Sequence, residues 1–283
     1  SLILISFLRL EWSPMALNGV SSRLSSYYAN YKRTWKYAIA FRAVAENYRF
    51  EKMTQQHLPL LMDLGRESFK DDSITLGTGV TFDDCKTGME WVFSYAIVAN
   101  SVMGVSDICY DKKTNKPVGF RMVDPYYKDQ AESPFKIPDV SFNDKEKAFF
   151  GLLDGTYAKI WDCYPTERVI VRPTLVFIDP AHRTLGLSRA WIEYGLDFPT
   201  MSKQTGANIC ATLCTSVKTK GWFEKNGHTL AHTTGPNVTN WKGETVALPE
   251  GPLRVYAADM HTVKTINVKP CWEMMKAVGM MPK

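Results

Sequence analysis

The sequence predicts a mixed α/β (α+β) protein built on one central sheet. Its most informative segment, residues 175–196, runs from an apolar strand through a polar turn into an amphipathic helix. Strand-like and helix-like segments follow one another in the order β-α-α-β-β-α-β-α-β-α-β-β, which predicts a protein of mixed class. A hydrophobic content of 45% with 22% charged residues is that of an ordinary globular protein with a full core.

The elements before the informative segment are predicted from caps and periodicity. Residues 47–53 form the first strand, and Thr54 caps a helix over residues 55–69. Thr81 caps a second helix that ends near residue 100, since its apolar residues recur at helical spacing. The next segments are strands at 101–110 and 117–123, an irregular stretch at 124–143, a helix at 144–164 and a strand at 168–178.

The later elements complete the sheet. A helix follows the turn and ends near Gly206, and residues 207–214 alternate as a strand. A short helix ends at Asn226, and two late strands follow, the second over residues 252–260. The polar segment 235–251 is predicted to be an insertion between these two strands.

The turn inside the informative segment predicts an anion site. Asp179-Pro180 ends the strand, and the turn that follows has the sequence Arg183-Thr184-Leu185-Gly186-Leu187-Ser188. Free backbone N–H groups at a helix N-terminus bind phosphate or pyrophosphate. The chain has neither Gly-Lys-Ser/Thr nor a three-glycine pattern here, so the two common nucleotide loops do not apply. An ordinary strand-to-helix turn remains the alternative interpretation.

Three motifs carry a family resemblance. The turn resembles Arg/Gln-x-x-Gly-x-Gly/Ala, the pyrophosphate loop of the GNAT N-acyltransferases. Further along, Cys214-Thr215-Ser216-Val217-Lys218-Thr219 resembles the Cys-Ser-Ser-x-x-Ser run of the invertebrate arylalkylamine and dopamine N-acetyltransferases. Upstream, Phe69-Lys70-Asp71-Asp72-Ser73-Ile74 resembles their Phe-Lys/Arg-Asp-Glu-Pro-Leu. The resemblance covers roughly residues 47–261. It implies the GNAT fold: a mixed sheet of about seven strands, with helices on both faces, splayed between the fourth and fifth strands.

This resemblance implies an activity and a set of residues for it. The activity is acetyl transfer from acetyl-CoA, as co-substrate, to a small arylalkylamine-like or other small amine, by direct attack in a ternary complex. Asp72 stands at the position of the family's general base, and Thr215 and Thr219 stand at the positions of its catalytic hydroxyls. The residues implied for the cofactor are Phe177, Ile178, Arg183, Thr184, Leu185, Gly186, Leu187 and Ser188.

Alternatives stay open at the level of sequence. Asp72 would otherwise be a solvated carboxylate at a helix end, Thr215 a strand-end residue, and Thr219 the N-cap of the helix ending at Asn226. The whole protein would otherwise be a catalytically impaired CoA- or ligand-binding protein, or a peptide or protein N-acetyltransferase. Segments 124–142 and 235–251 are expected to shape the amine pocket. The aromatic residues in these segments are Tyr126, Tyr127, Phe135 and Trp241.

Charge and metal-ligand spacing exclude other classes of site. A net charge of +5 is too mild to predict nucleic-acid binding. The basic, aromatic stretch 27–42 is interpreted as an extra helix on the domain, with a nucleic-acid or membrane surface as the alternative. Six cysteines without Cys-x-x-Cys spacing predict no metal site and favour a reducing, cytoplasmic location. His228 and His232 are interpreted as a loose surface pair.

The predicted organisation is one domain with two extensions. Residues 1–46 form an N-terminal extension, 47–261 the GNAT domain and 262–283 a C-terminal tail. We expect Met15 to be the natural start, with residues 1–14 not native. The apolar run at 2–8 is too short to cross a bilayer, so we expect no membrane partner. A small amine is the expected partner of a monomer, with a homodimer as the alternative.

Overall fold

The computed structural model describes residues 44–183, 187 and 196–263, and all elements named here lie in those ranges. The strands are β1 (Tyr48–Lys52), β2 (Asp107–Asp111), β3 (Pro117–Tyr127), β4 (Val169–Ile178), β5 (Ile209–Cys214), β6 (Thr229–Thr233), β7 (Asn237–Thr239), β8 (Thr245–Ala247) and β9 (Arg254–Asp259). The α-helices are α1 (Leu58–Phe69), α2 (Ser73–Thr78), α3 (Lys86–Met103), α4 (Asp144–Ala158), α5 (Ile160–Cys163), α6 (Phe198–Thr205) and α7 (Val217–Lys225). Short 3-10 turns lie at Gln55–His57, Asp83–Cys85, Gln130–Glu132 and Pro180–His182.

Seven of these strands form one mixed sheet in the order β1-β2-β3-β4-β5-β9-β6, and β7 and β8 form a separate hairpin. Neighbouring strands in the sheet are antiparallel except β4 and β5, which run parallel. The predicted mixed sheet of about seven strands is therefore confirmed. The described residues belong to one compact unit.

The parallel pair β4 and β5 separates along its length. β3 and β4 pair from Tyr127↔Val169 to Gly119↔Ile178, whereas β4 and β5 are in register only at Val171↔Cys210. This pair lies near the start of both strands, so the strands diverge toward their carboxyl ends. The predicted splay between the fourth and fifth strands is confirmed.

Side chains occupy the base of this split. The register of β3 and β4 shifts between Met122 and Val123, which makes Thr174 an extra residue in β4. The Thr212 hydroxyl donates to the Pro173 carbonyl at 3.1 Å. The Leu213 N–H, which a paired strand would have satisfied, donates instead to the Tyr157 hydroxyl at 2.7 Å. Polar side chains thus replace the missing backbone ladder.

Helices cover both faces of the sheet. The adjacent β4 residues Ile170 and Val171 point to opposite faces, and both are fully buried. Ile170 belongs to a cluster with Ile160 of α5, and Val171 belongs to a cluster with Met201 of α6. A third cluster joins α1 and α3 to β2, β3 and β4 through large apolar side chains. Its members include Leu61, Phe93, Ile108, Phe120, Met122 and Phe177.

The cap predicted at Thr54 is confirmed, whereas Thr81 makes capping bonds one residue before Phe82, which is the N-cap of its 3-10 turn. Thr54 donates its N–H to His57 Nδ1 at 3.1 Å. Thr81 donates its N–H to Asp84 Oδ2 at 3.0 Å, and its hydroxyl accepts the Asp84 N–H at 3.2 Å. Among the described residues, none of the helices combines the length and apolarity that crossing a bilayer would require.

Three sequence predictions about local structure were wrong. The strand predicted over residues 117–123 continues to Tyr127, into the segment that was predicted to be irregular. The strand predicted to begin at residue 101 begins at Asp107, because α3 continues to Met103 and ends at Gly104, whose φ is +65°. His228 is also not a surface residue: it is 6% exposed. Its ring packs against Trp222 and Phe223, with centroids at 6.0 and 5.3 Å. These two aromatic residues lie on α7, so the helix covers the histidine.

Candidate functional site

Asp72 lies at the open end of the split between β4 and β5. It is the N-cap of α2, and its Oδ1 accepts the N–H groups of Ile74 at 2.9 Å and Thr75 at 3.2 Å. Its Oδ2 accepts the hydroxyl of Thr215, the first residue after β5, at 3.4 Å. The structure therefore brings together two of the three predicted catalytic residues, which lie far apart in the chain.

The carboxyl group of Asp72 is tuned by its surroundings. Burial raises its pKa above the ordinary value, and the negative charge of Glu250 acts in the same direction. The hydrogen bonds from Thr75, Ile74 and Thr215 oppose that rise without cancelling it. Asp72 does stand at a helix end, as the alternative interpretation had it, but it is half-buried and caps that helix. A raised pKa makes a carboxylate a better proton acceptor.

Thr219 lies in the first turn of α7. The helix begins at Val217, so the alternative that Thr219 is its N-cap was wrong. The Thr219 hydroxyl donates to the Ser216 carbonyl at 2.9 Å and lies 2.8 Å from the Cys214 thiol. Thr215 and Thr219 thus have different partners: Thr215 bonds the carboxylate, and Thr219 bonds the strand end.

The end of β4 presents backbone groups to the split. Asp179 donates its N–H to the Val118 carbonyl at 2.8 Å. Because hydrogen-bonded pairs alternate along antiparallel strands, Phe177 bonds β3, while Val176 and Ile178 direct their N–H groups toward β5. Both predicted residues, Phe177 and Ile178, are buried at this strand end. Val176 was not predicted from the sequence, although strand alternation alone gives it the same orientation as Ile178.

Arg183 connects this strand end to the turn that carries Asp72. Its Nε donates to the Ile178 carbonyl at 2.9 Å, and an N–H of its guanidinium donates to Asp71 Oδ2 at 3.2 Å. Leu187 is 1% exposed and belongs to the core. The other predicted loop residues, Thr184, Leu185, Gly186 and Ser188, lie outside the described residues.

Glu250 lies at the candidate site and was not predicted from the sequence. Its Oε2 accepts the Val217 N–H at 3.1 Å, and its own N–H donates to the Ser73 hydroxyl at 3.1 Å. It therefore contacts the residue after Asp72 and a residue two positions after Thr215. The only sequence signal for it was its place in segment 235–251, which was expected to shape the amine pocket.

The aromatic residues expected around the amine have separate neighbours. Tyr126 stacks on Trp161 with centroids at 5.8 Å, and Phe135 packs edge-on against Tyr95 at 6.3 Å. Trp241 lies under the Lys145 ammonium at 4.8 Å, and Tyr127 packs with the α6 cluster. These rings therefore do not form one aromatic pocket. In the described part of the chain, no three His, Cys, Asp or Glu side chains are grouped for a metal ion.

Comparison with known proteins gives a likeness of fold. The sequence matches no protein-family model and no curated protein. The structure is similar to arylalkylamine N-acetyltransferase 2 from Aedes aegypti, with a TM-score of 0.56 and 16% identity, over 76% of this chain and 99% of that one. A mosquito arylalkylamine N-acetyltransferase-like protein, 5b, gives 0.56 and 14%, over 75% and 99%. The Drosophila melanogaster polyamine N-acetyltransferase, which forms N-acetylagmatine, gives 0.55 and 13%, over 75% and 100%.

The sheet order, the parallel pair and its splay agree with this likeness. The protein thus has the fold of the GNAT acetyltransferases, as the three sequence motifs predicted. Its candidate site lies where that fold opens, at the carboxyl ends of β4 and β5.

Proposed function

We propose that this protein transfers an acetyl group from acetyl-CoA to a small amine, by direct attack in a ternary complex. The observation that carries the proposal is the contact of 3.4 Å between the Asp72 carboxylate and the Thr215 hydroxyl at the open end of the split. It unites two separate sequence motifs at the end of the split into which Val176 and Ile178 direct their N–H groups. The similar solved proteins are named for acetylation of arylalkylamines and of a polyamine, which supports an amine as acceptor.

The residues present suit each step of such a transfer. The amine nitrogen attacks the thioester carbonyl carbon, a C–N bond forms, and the C–S bond breaks. The Val176 and Ile178 N–H groups, directed into the split, would stabilise the negative charge that develops on the carbonyl oxygen. Asp72, acting directly or through water, would accept the proton that the amine loses.

The leaving thiolate needs a proton. The contact between Asp72 and Thr215 offers a path for it, because the hydroxyl can give its proton to the thiolate and take another from the carboxyl group. The proton lost by the amine thus ends on coenzyme A, and the products are the N-acetyl amine and the free thiol. Thr219, bonded to Cys214 and Ser216, would be a second hydroxyl at the same strand end.

The cofactor would lie along the loop that follows β4. We assign the pyrophosphate to residues 183–188, with the thioester end at Phe177 and Ile178. The Arg183 side chain supports this assignment, since it holds the start of the loop against both Ile178 and Asp71. A helix N-terminus that follows such a turn would supply N–H donors to phosphate oxygens.

A thermal-shift assay tests the cofactor site. Acetyl-CoA at one hundred times its Kd should stabilise the protein by about 2.7 kcal/mol. Gly186→Trp should abolish this shift. Gly155→Trp is the matched control, because Gly155 lies exposed on α4 with open space around its Cα, and it should leave the shift intact. An unshifted wild-type melting temperature at millimolar acetyl-CoA would contradict the proposal.

Thiol release with a panel of amines and peptides tests the chemistry. Asp72→Asn should lower kcat/KM by about 10²–10⁴, the usual contribution of a general base. Asn still caps a helix, so the thermal midpoint should change little. Undiminished turnover in this variant would remove Asp72 from the mechanism. Acetyl-CoA binding without turnover would indicate a ligand-binding protein instead, and turnover with peptides alone would indicate a peptide acetyltransferase.

A further inference from the structure

A closed ring of hydrogen bonds joins the turn that carries Asp72 to two distant segments of the chain. The Ser73 hydroxyl accepts the Glu250 N–H at 3.1 Å, and Glu250 Oε2 accepts the Val217 N–H at 3.1 Å. The Thr215 hydroxyl, two residues before Val217, donates to Asp72 Oδ2 at 3.4 Å. Asp72 and Ser73 are adjacent, so these bonds and the short pieces of backbone between them form a complete circuit.

We propose that Ser73 and Glu250 are positioning residues, which act through this ring to hold the Asp72 carboxylate against the Thr215 hydroxyl. Neither residue would touch the reacting atoms. The inference rests on the proposed acetyl transfer, in which a proton passes between that carboxylate and that hydroxyl. It adds the segment after β8 to the parts of the chain that control the general base.

The segment that carries Glu250 is packed on α2, so it can act as a support. Gly77 of α2 lies so close to Leu248 that a Cβ on this glycine would stand 2.7 Å from Leu248 Cδ2. Leu248 and Ile74 are both buried and belong to the same core cluster. Ser73 is buried as well. A shift of this segment would therefore be transmitted to the helix that follows the proposed general base.

The ring also places a charge beside the general base. Burial raises the pKa of Asp72, the Thr215 hydrogen bond opposes that rise, and the negative charge of Glu250 adds to it. The neighbouring charged groups before Asp72 in the chain are paired with other side chains, Asp71 with Arg183 and Lys70 with Glu67. Neutralising Glu250, or releasing it from Ser73, should therefore make the Asp72 carboxylate a weaker base.

A purely structural role for the two residues has to be separated from this one. Glu250 could serve only as a cap for α7, since its carboxylate accepts the first N–H of that helix. Glu250→Gln keeps an oxygen for the Val217 N–H and removes the negative charge. Ser73→Ala opens the ring at the Glu250 N–H, whereas Ser73→Thr keeps a hydroxyl there.

Two control variants make the same chemical changes outside the ring. Thr78→Ala removes another buried hydroxyl of α2, one that donates to the Ile74 carbonyl at 2.7 Å. Glu244→Gln removes a negative charge from the exposed turn before β8, where the Glu244 side chain accepts from Asn240 at 2.8 Å. Neither control residue contacts a member of the ring through the hydrogen bond that it loses or weakens.

The kinetic experiment follows turnover of acetyl-CoA with the fastest amine from a panel of tyramine, tryptamine and butylamine. Ser73→Ala should lower kcat by about ten- to a hundredfold with little change in either KM, because a misplaced catalytic group costs rate rather than binding. Ser73→Thr should recover most of this loss. Glu250→Gln should move the acidic limb of the kcat/KM profile to lower pH. Both controls should keep the wild-type kcat and the wild-type limb.

A second measurement does not depend on turnover. The carboxyl carbon of Asp72 is titrated by carbon-13 NMR without substrates, and its signal is the one that Asp72→Asn lacks. The pKa of Asp72 should be lower in Glu250→Gln and in Ser73→Ala than in the wild-type protein, because the negative charge is absent or no longer held in place. The two controls should leave this pKa unchanged.

The outcomes separate the inference from the proposed function. A wild-type kcat in Ser73→Ala, or an unchanged pKa of Asp72 in Glu250→Gln, would overturn the inference while acetyl transfer stands. A loss of kcat as large in Thr78→Ala as in Ser73→Ala would show a general effect on α2 and would also overturn it. Absence of turnover with every amine would contradict the proposed function, and the titration would still show whether the ring acts on the carboxylate.

Discussion

His228 makes the stability of this fold depend on pH. Its ring is 6% exposed between Trp222 and Phe223, and its Nδ1 has no hydrogen-bond partner among the described residues. Burial lowers the pKa of His228 from 6.5 to about 4, although backbone groups of Phe223 and Asn226 act in the opposite direction. The folded protein therefore keeps this ring neutral at a pH where the unfolded chain binds a proton.

The sign and size of the effect follow from proton linkage. Above pH 6.5 the ring is neutral in both states, and His228 adds no pH dependence. Between pH 6.5 and 4 only the unfolded chain takes up the proton, so the free energy of unfolding falls as the pH falls. A shift from 6.5 to about 4 corresponds to about 3 kcal/mol in full. About 2 kcal/mol of this is lost by pH 5.

His228→Phe should remove this component. Phenylalanine keeps the aromatic contacts with Trp222 and Phe223, and it has no nitrogen to protonate or to leave unpaired. Urea unfolding gives the free energy of unfolding at pH 7.5 and at pH 5. The decrease between these two pH values should be about 2 kcal/mol larger in the wild-type protein than in the variant. At pH 7.5 the variant should be about 1 kcal/mol more stable, since an unsatisfied buried atom is gone. His232→Phe is the control, because His232 is half-buried on the neighbouring strand β6. This variant should keep the wild-type difference in the free energy of unfolding between the two pH values. An equal decrease in the free energy of unfolding in the wild-type protein and in His228→Phe would refute the reasoning.

Two further substitutions probe the split and its proposed proton path. Tyr157→Phe removes the acceptor of the Leu213 N–H, so the free energy of unfolding in urea should fall by about 1–3 kcal/mol. An unchanged urea midpoint would mean that another group satisfies this N–H. Thr215→Val removes a hydrogen bond that lowers the pKa of Asp72, so the acidic limb of the kcat/KM profile should move to higher pH. Thr215→Ser keeps the hydroxyl and should keep the wild-type profile. An identical acidic limb in Thr215→Val would show that the 3.4 Å contact does not influence the carboxylate.

The sequence predicted those parts of the fold that local patterns determine. Residue spacing predicts the apolar strand that ends at Ile178, the cap at Thr54 and the capping bonds of Thr81, and the structure has them. The start of the second strand was misplaced because residues 101–106 alternate like a strand while α3 extends through Met103. Gly104, which adopts a positive φ at the helix end, was the signal that could have corrected it.

The contacts that complete the site have no local signature. Glu250 bonds Ser73 across 177 positions of sequence and Val217 across 33, and no motif spacing connects these residues. His228 likewise appears in the sequence as one of two histidines four positions apart. Its burial results from α7, which folds back over β6 and places Trp222 and Phe223 against the ring. Contacts between residues so far apart in sequence depend on the topology of the fold, and a single sequence does not reveal that topology.

The position of the candidate site follows from the contacts at the two ends of the split between β4 and β5. Thr212 and Tyr157 occupy the base, where β4 and β5 part, so the strands stay apart toward their carboxyl ends. At the open end, the turn between α1 and α2 is tied to both strands: Arg183 joins Asp71 to the end of β4, and Thr215 joins Asp72 to the end of β5. The turn that carries the carboxylate proposed as general base is thus held from the ends of two strands that do not pair with each other there. A ligand that enters the split would therefore meet Asp72 beside the loop proposed for the cofactor.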